Sequence, residues 1–150
     1  EAQSKALHLC NTGMAVAIDI GDANDIHPKN KQEVGRRLSL LALQKTYGKG
    51  KVTDIMSYKD YVVEKGIVRL MFKGNTKGFQ PSDLLTGFTI AGADHVFYPA
   101  KVEIKGDELL VWSPDVSNPV AVRYGWADNP DCNLYDRTGL PVAPFRTDCW

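Results

Sequence analysis

The chain has no surplus of charge. Eighteen Lys and Arg balance eighteen Asp and Glu over 150 residues, so the formal net charge is zero. Without a basic stripe there is no electrostatic footprint for a phosphate backbone, and no nucleic-acid partner is expected. No apolar run approaches about 18 residues, so no segment is expected to span a membrane. A basic n-region followed by an apolar h-region is also missing. The chain opens EAQSKALHL without an initiator Met, which fits a mature, processed or truncated product, and this end says nothing about export. Cysteine is scarce: Cys10, Cys132 and Cys149 are too far apart for a zinc knuckle or a CxxC redox pair. Cys132 and Cys149 bracket a tail with Pro and Gly, where a disulfide would pin irregular chain; isolated thiols in a reducing compartment are the alternative. Cys10 reads as a small buried hydrophobe. A nucleophile elbow is lacking too. The serines at 4, 39, 57, 82, 113 and 117 form no GxSxG and no GDS-type turn. What is present, 43% hydrophobic and 24% charged residues, suffices for one domain, or one domain and a fragment of another.

The periodicity divides the chain near residue 48. EAQSKALHL reads as the end of a helix. Met14 to Ile20 is a mostly apolar run ending at Gly21, which suits a strand covered on both faces, as in a parallel sheet. After a loop over 21–29, Asn30 and Glu33 form an N-cap and N3 pair that would start a helix. Val34, Leu38, Leu41 and Ala42 fall on one face of that helix, and Gly48 supplies its stop. Residues 1–48 therefore read as a terminal βα unit whose remaining sheet comes from other chain.

Residues 49–150 read as all-β. Tyr61 to Val63 and Ile67 to Phe72 flank a turn at Glu64, Lys65 and Gly66, a β-hairpin. Phe88 to Ile90 is a further strand. Val102 and Ile104 alternate with Lys101, Glu103 and Lys105, giving one wet face. Gly106 and Asp107 turn the chain into Leu109 to Trp112, and Val120 to Trp126 forms another strand. Short strands separated by turn residues indicate an antiparallel β-sandwich. The tail 127–150, with Pro130, Pro141 and Pro144, reads as extended coil.

One loop concentrates the chemistry. Asn24, Asp25, Ile26, His27 and Pro28 lie beyond the C-terminal end of the 14–20 run, where ligands meet open α/β sheets. A histidine there can take a proton from a hydroxyl and return it to a leaving group. Asp25 and Asp22 are near enough in sequence to orient its ring. The bland alternative is a solvated loop histidine. Asp19, Asp22, Asp25 and His27 could also suggest oxygen ligands around a hard cation, but their spacing matches no ligand template, and no metal is assigned. Trp112, Tyr124 and Trp126 could form a sugar-stacking platform; packing in the core is the alternative. Tyr124 and Trp126 share a strand face in this reading, so both should point in or both out. His8 and His95 have no catalytic neighbourhood in the sequence.

Three blocks carry a family resemblance: NTGMAVAIDIGDANDIHPKNKQEVGRRL at 11–38, FTIAGADHVFYPAKVEI at 88–104, and NPVAVRYGWADNPDCNLYDRTGLPVAPFRTD at 118–148. In these blocks the chain resembles the C-terminal part of the sialate O-acetylesterases, within the SGNH-hydrolase superfamily. The resemblance implies an α/β plus all-β fold: the terminal βα unit of an SGNH-type sheet over 1–48, then the β-sandwich over 49–150. It implies a serine esterase that removes O-acetyl groups from sialic acid or related glycans without a cofactor. His27 matches the family's catalytic histidine. The superfamily aspartate three residues before the histidine is here Asn24, so the orienting acid is Asp25, Asp22 or neither, a backbone carbonyl serving instead. The serine and the oxyanion-hole residues would lie upstream of residue 1, making the N-terminal catalytic part of the same protein the implied partner and this chain inactive alone. A periplasmic or secreted location follows from the resemblance only. The competing class is a carbohydrate-binding or structural β-sandwich without catalytic activity.

Overall fold

The structure, a computed structural model, describes residues 1–50, 55–74, 78–80 and 84–150. The N-terminal part holds a short helix α1 (Ala2–Lys5), a 3-10 turn (Ala6–His8) and the helix α2 (Lys31–Lys45). Eight strands follow: β1 (Ser57–Glu64), β2 (Ile67–Lys73), β3 (Phe88–Ala91), β4 (Phe97–Pro99), β5 (Lys101–Lys105), β6 (Glu108–Trp112), β7 (Ala121–Tyr124) and β8 (Phe145–Arg146). They form two four-stranded sheets, ordered β1-β2-β6-β5 and β4-β3-β7-β8, with every neighbouring pair antiparallel.

The two sheets share one core because their strands alternate. Val68, Leu70 and Phe72 of β2 and Leu109 and Val111 of β6 point inward, with polar or half-exposed residues between them. Phe88 and Ile90 of β3, Val122 and Tyr124 of β7 and Phe145 of β8 meet them from the other sheet. Each such side chain contributes about 1.5–3 kcal/mol by leaving water. The β1–β2 hairpin closes through Lys65 and Gly66, both at positive φ (52° and 78°), the two-residue turn whose twist matches that of the strands. The edge strand β5 keeps Lys101, Glu103 and Lys105 exposed, which discourages pairing with another chain.

The α2 boundaries follow the sequence signals. The Glu33 amide donates to the Asn30 side chain at 3.1 Å. At the other end Gly48 turns at φ 60°, and the Lys49 amide donates to the Leu43 carbonyl at 2.8 Å. The face it buries is the expected one only in part. Leu38 is 50% exposed and Ala42 is also exposed, whereas Arg37 is buried. Val34 and Leu41 of the expected face are half-buried, and Leu41 lines a small crevice with Met14 and Val16, so the buried Arg37 adds ion pairing to that apolar contact.

Several other expectations are corrected. Residues 14–20 form no strand: they run irregularly into a turn in which the Ile20 amide donates to the Ala17 carbonyl at 3.2 Å. A strand needs neighbours for its backbone groups, and the described residues supply none here. The tail is largely irregular, as expected, but it is packed and carries a short strand near its end. Leu134, Leu140, Val142, Ala143 and Phe145 are buried, and β8 pairs with β7. Tyr124 and Trp126 do not share a face: Tyr124 is fully buried and Trp126 is 39% exposed. The cause is Gly125, which at φ 63° ends the alternation immediately after β7. Cys10 is exposed rather than buried, and all three cysteines are free thiols, so Cys132 and Cys149 do not pair.

Candidate active site

The loop between the 14–20 run and α2 is built by its own polar side chains. Asp22 Oδ1 accepts the Asn24 amide at 3.0 Å, and the Asp22 carbonyl accepts the Asp25 amide at 3.3 Å. Asp25 Oδ1 then accepts the His27 amide at 2.8 Å, a turn of the kind short acidic side chains favour. The same oxygen lies 3.2 Å from His27 Nδ1. The structure therefore brings together Asp25 and His27 and leaves Asp22 on the loop's own turn. With its proton on Nδ1 facing Asp25, the imidazole presents Nε2 as an acceptor. The side chains of His27 and Asp25 are 80% and 44% exposed, so Nε2 is open to a reacting group brought from outside the loop.

Asp19 does not join this pair. Its carboxylate faces Arg37, with Nη1 2.6 Å from Oδ1 and Nη2 2.7 Å from Oδ2. The two side chains are only 7% and 5% exposed. Arg37 Nη1 also donates to the Val16 carbonyl at 2.6 Å, Arg37 Nε donates to Glu33 at 2.8 Å, and the Tyr135 hydroxyl donates to Asp19 Oδ2 at 3.1 Å. Burial pushes the Asp19 carboxyl up, but the Arg37 guanidinium outweighs it and leaves the group below its ordinary range. Burial raises the Tyr135 hydroxyl, and the Asp19 charge raises it further. Glu33, hydrogen-bonded by Arg36 and then Arg37, is held down at about 2. Asp19, Asp22, Asp25 and His27 thus do not converge on one point, and among the described residues no group of three or more His, Cys, Asp or Glu is arranged to hold a metal.

Sequence reasoning missed Arg37 and Tyr135. The signal for the first was Asp19 itself, an acid inside an apolar run, which needs a buried cation if it is to stay charged. Nothing local marked Tyr135, which lies 116 residues from Asp19 along the chain.

The other candidates lie elsewhere. His8 lines an open groove of about 710 Å³ whose wall includes Lys45, Tyr58, Trp126 and Arg146. Neither His27 nor Asp25 is on that wall. His95 stacks on Trp150 with ring centroids 4.0 Å apart. Ser39 donates to the Arg36 carbonyl on exposed α2, and Ser113 is buried in a turn that closes on Val116. Ser82 lies outside the described residues.

Comparison with known proteins gives this geometry a context. No protein-family model matches the chain. Human sialate O-acetylesterase is 28% identical over 151 residues, which covers 90% of this chain and 29% of that protein. Its mouse counterpart is 28% identical over 150 residues, covering 90% of this chain and 28% of the relative. The chain is similar to the sialate O-acetylesterases. The fold agrees: the crystal structure of a carbohydrate acetylesterase from Xanthomonas citri superposes with a TM-score of 0.93 at 47% identity. That match covers 99% of this chain and 35% of the solved one. The chain thus spans under a third of the curated relatives it matches and about a third of the solved acetylesterase, consistent with a partial, C-terminal segment of an esterase-related protein. Among the described residues no helix is long and apolar enough to cross a membrane.

Proposed function

We propose that this chain is the C-terminal segment of a serine esterase that removes O-acetyl groups from sialic acid or related glycans. It supplies the general base, His27, with Asp25 as its orienting acid, and a preceding segment supplies the serine. The observation that carries the reading is the 3.2 Å approach of Asp25 Oδ1 to His27 Nδ1 on a loop that leaves Nε2 open. Similarity to acetylesterases along nine tenths of the chain supports it. Residues 1–48 then belong to an SGNH-like catalytic domain, and residues 49–150 form its β-sandwich companion. The 14–20 run would gain in the longer protein the sheet neighbours that the described residues lack. A periplasmic or secreted location is part of the proposal and rests on the resemblance alone.

The chemistry follows from that arrangement. The serine Oγ attacks the acetyl carbonyl carbon while Nε2 takes the hydroxyl proton. The tetrahedral intermediate collapses as the imidazolium returns that proton to the departing sugar oxygen, leaving an acetylated serine. Water attacks the acetyl carbonyl, Nε2 takes its proton and passes it to the serine oxygen, and acetate leaves. The Asp25 carboxylate stabilises the imidazolium in both halves. Donors for the oxyanion, usually the largest contribution to such catalysis, come from the preceding segment.

A second reading, a glycan-binding module without catalysis, is favoured by the exposed Trp126 on the 710 Å³ groove. Release of acetate from an O-acetylated sugar separates the two. The proposal expects turnover only when the preceding segment and this chain are present together. Saturable glycan binding by this chain, with acetate release by the preceding segment undiminished in its absence, would overturn it.

A further inference from the structure

We infer that Asp19, Arg37 and Tyr135 form a positioning clamp that sets where the Asp25–His27 pair is presented, and that the tail acts on the loop through Tyr135. The inference rests on the reading of His27 as the base.

The loop cannot place itself. Its hydrogen bonds among Asp22, Asn24, Asp25 and His27 are all local, and they shape the turn without fixing its direction. Ile26 at its tip is 91% exposed, so no packing holds the tip either. The direction must come from the two stems, the chain entering near Asp19 and the first turns of α2. Arg37 joins those stems. Its guanidinium grips the Asp19 carboxylate with two nitrogens and the Val16 carbonyl with one, while Nε is held by Glu33 one turn back along α2. A buried fork with every arm engaged permits little rotation of one stem against the other.

Tyr135 ties this clamp to the β part. Its hydroxyl reaches Asp19 Oδ2 from a segment anchored on the sheet core, where the Gln80 amide donates to the Tyr135 carbonyl at 2.9 Å and Leu134 beside it is fully buried. Leu140 and Pro141 of the same tail line a small crevice together with Val16 and Arg37. The tail therefore reads the position of the loop's entering stem, and a shift of either would be passed to His27. An error of about 1 Å in placing a base costs on the order of a hundredfold in rate, so such support has catalytic consequences without touching substrate.

The experiment pairs a direct view of the imidazole with kinetics. Tyr135→Phe removes one hydroxyl and Arg37→Lys replaces the fork with a single point charge. A core variant away from the clamp, Val122→Ala, serves as a control for lost stability, since Val122 is fully buried between the sheets. In this chain, long-range 1H–15N spectra of the His27 ring are expected to change in tautomer ratio or line width for both clamp variants and to stay as in the parent for Val122→Ala. In the longer protein, kcat should fall about tenfold for Tyr135→Phe and more for Arg37→Lys, with KM unchanged. Unchanged His27 signals in both clamp variants, or changes equal to those of Val122→Ala, would overturn the inference. Activity that survives His27→Ala would instead refute the catalytic reading, and the ring spectra would still decide the clamp.

Discussion

Phe145 gives the sharpest test of how the tail is held. Its ring stacks on Tyr58 at 5.1 Å with an interplanar angle of 11°, and meets Phe72 edge-on at 5.6 Å. Tyr124 lies at 5.8 Å and Phe88 at 6.4 Å. These neighbours come from β1 and β2 of one sheet and β3 and β7 of the other, so the space left by Phe145→Ala cannot close by moving a single element. Truncation of a buried Phe costs about 3–5 kcal/mol, and a site walled by two sheets belongs near the middle of that range, about 4 kcal/mol. Against a total stability of about 5–15 kcal/mol, that loss is large. Urea unfolding with an m-value of about 2 kcal/mol per molar would show the midpoint falling by about 2 M. Phe145→Leu, which refills most of the volume, should cost under about 1.5 kcal/mol. A loss below about 1 kcal/mol for Phe145→Ala would mean that the tail contributes little to the core, contrary to its packing between the two sheets.

Other outcomes follow from the same structure. Gly66→Ala should cost about 1–3 kcal/mol in urea unfolding, since the residue sits at φ 78° and a Cβ would lie 2.9 Å from the Ser117 carbonyl oxygen; Lys65→Asn, at φ 52° in the same turn, should be neutral or slightly stabilising. The Asp19 carboxyl is lowered from 3.8 in the fold, so its pairing stabilises fully above that value and is lost as pH falls through the lower folded value. Melting temperature followed from about pH 5 down to about pH 2 should therefore fall less steeply in Asp19→Asn than in the parent, and parallel curves would contradict the buried pair. If Trp126 takes part only in the groove, Trp126→Ala should leave acetate release by the longer protein within about threefold of the parent; a drop beyond about a hundredfold in kcat would move the reaction toward that groove.

What was legible in the sequence was local. The Asn30 cap, the Gly48 stop, the turn at Glu64, Lys65 and Gly66 and the alternation along β5 each depend on neighbours a few residues away. The misreadings were of partners set by distant chain. Met14 to Ile20 has the composition of a buried strand, but a strand exists only with neighbours, and the described residues offer none. The prolines of the tail rightly suggested irregular chain, because proline forbids regular ladders, but not that Leu134, Val142 and Phe145 would pack into the core between the sheets. Trp126 was misplaced by one residue, Gly125, whose positive φ broke a period of two. At the site, the contact between His27 and Asp25 was legible, because an acid two residues before a histidine can reach both its amide and its ring. Of the Asp19–Arg37–Tyr135 cluster, Asp19 in its apolar run was the one visible sign, and Tyr135 was invisible because its hydroxyl comes from the far end of the chain.

Whether His27 is the base of an O-acetyl esterase is decided by acetate release from an O-acetylated sialic acid. The assay compares the longer protein with its His27→Ala variant, with circular dichroism confirming that the variant is folded. A base at His27 predicts a fall in kcat of at least about 10³-fold with KM little changed. Activity of the variant within about tenfold of the parent would contradict it.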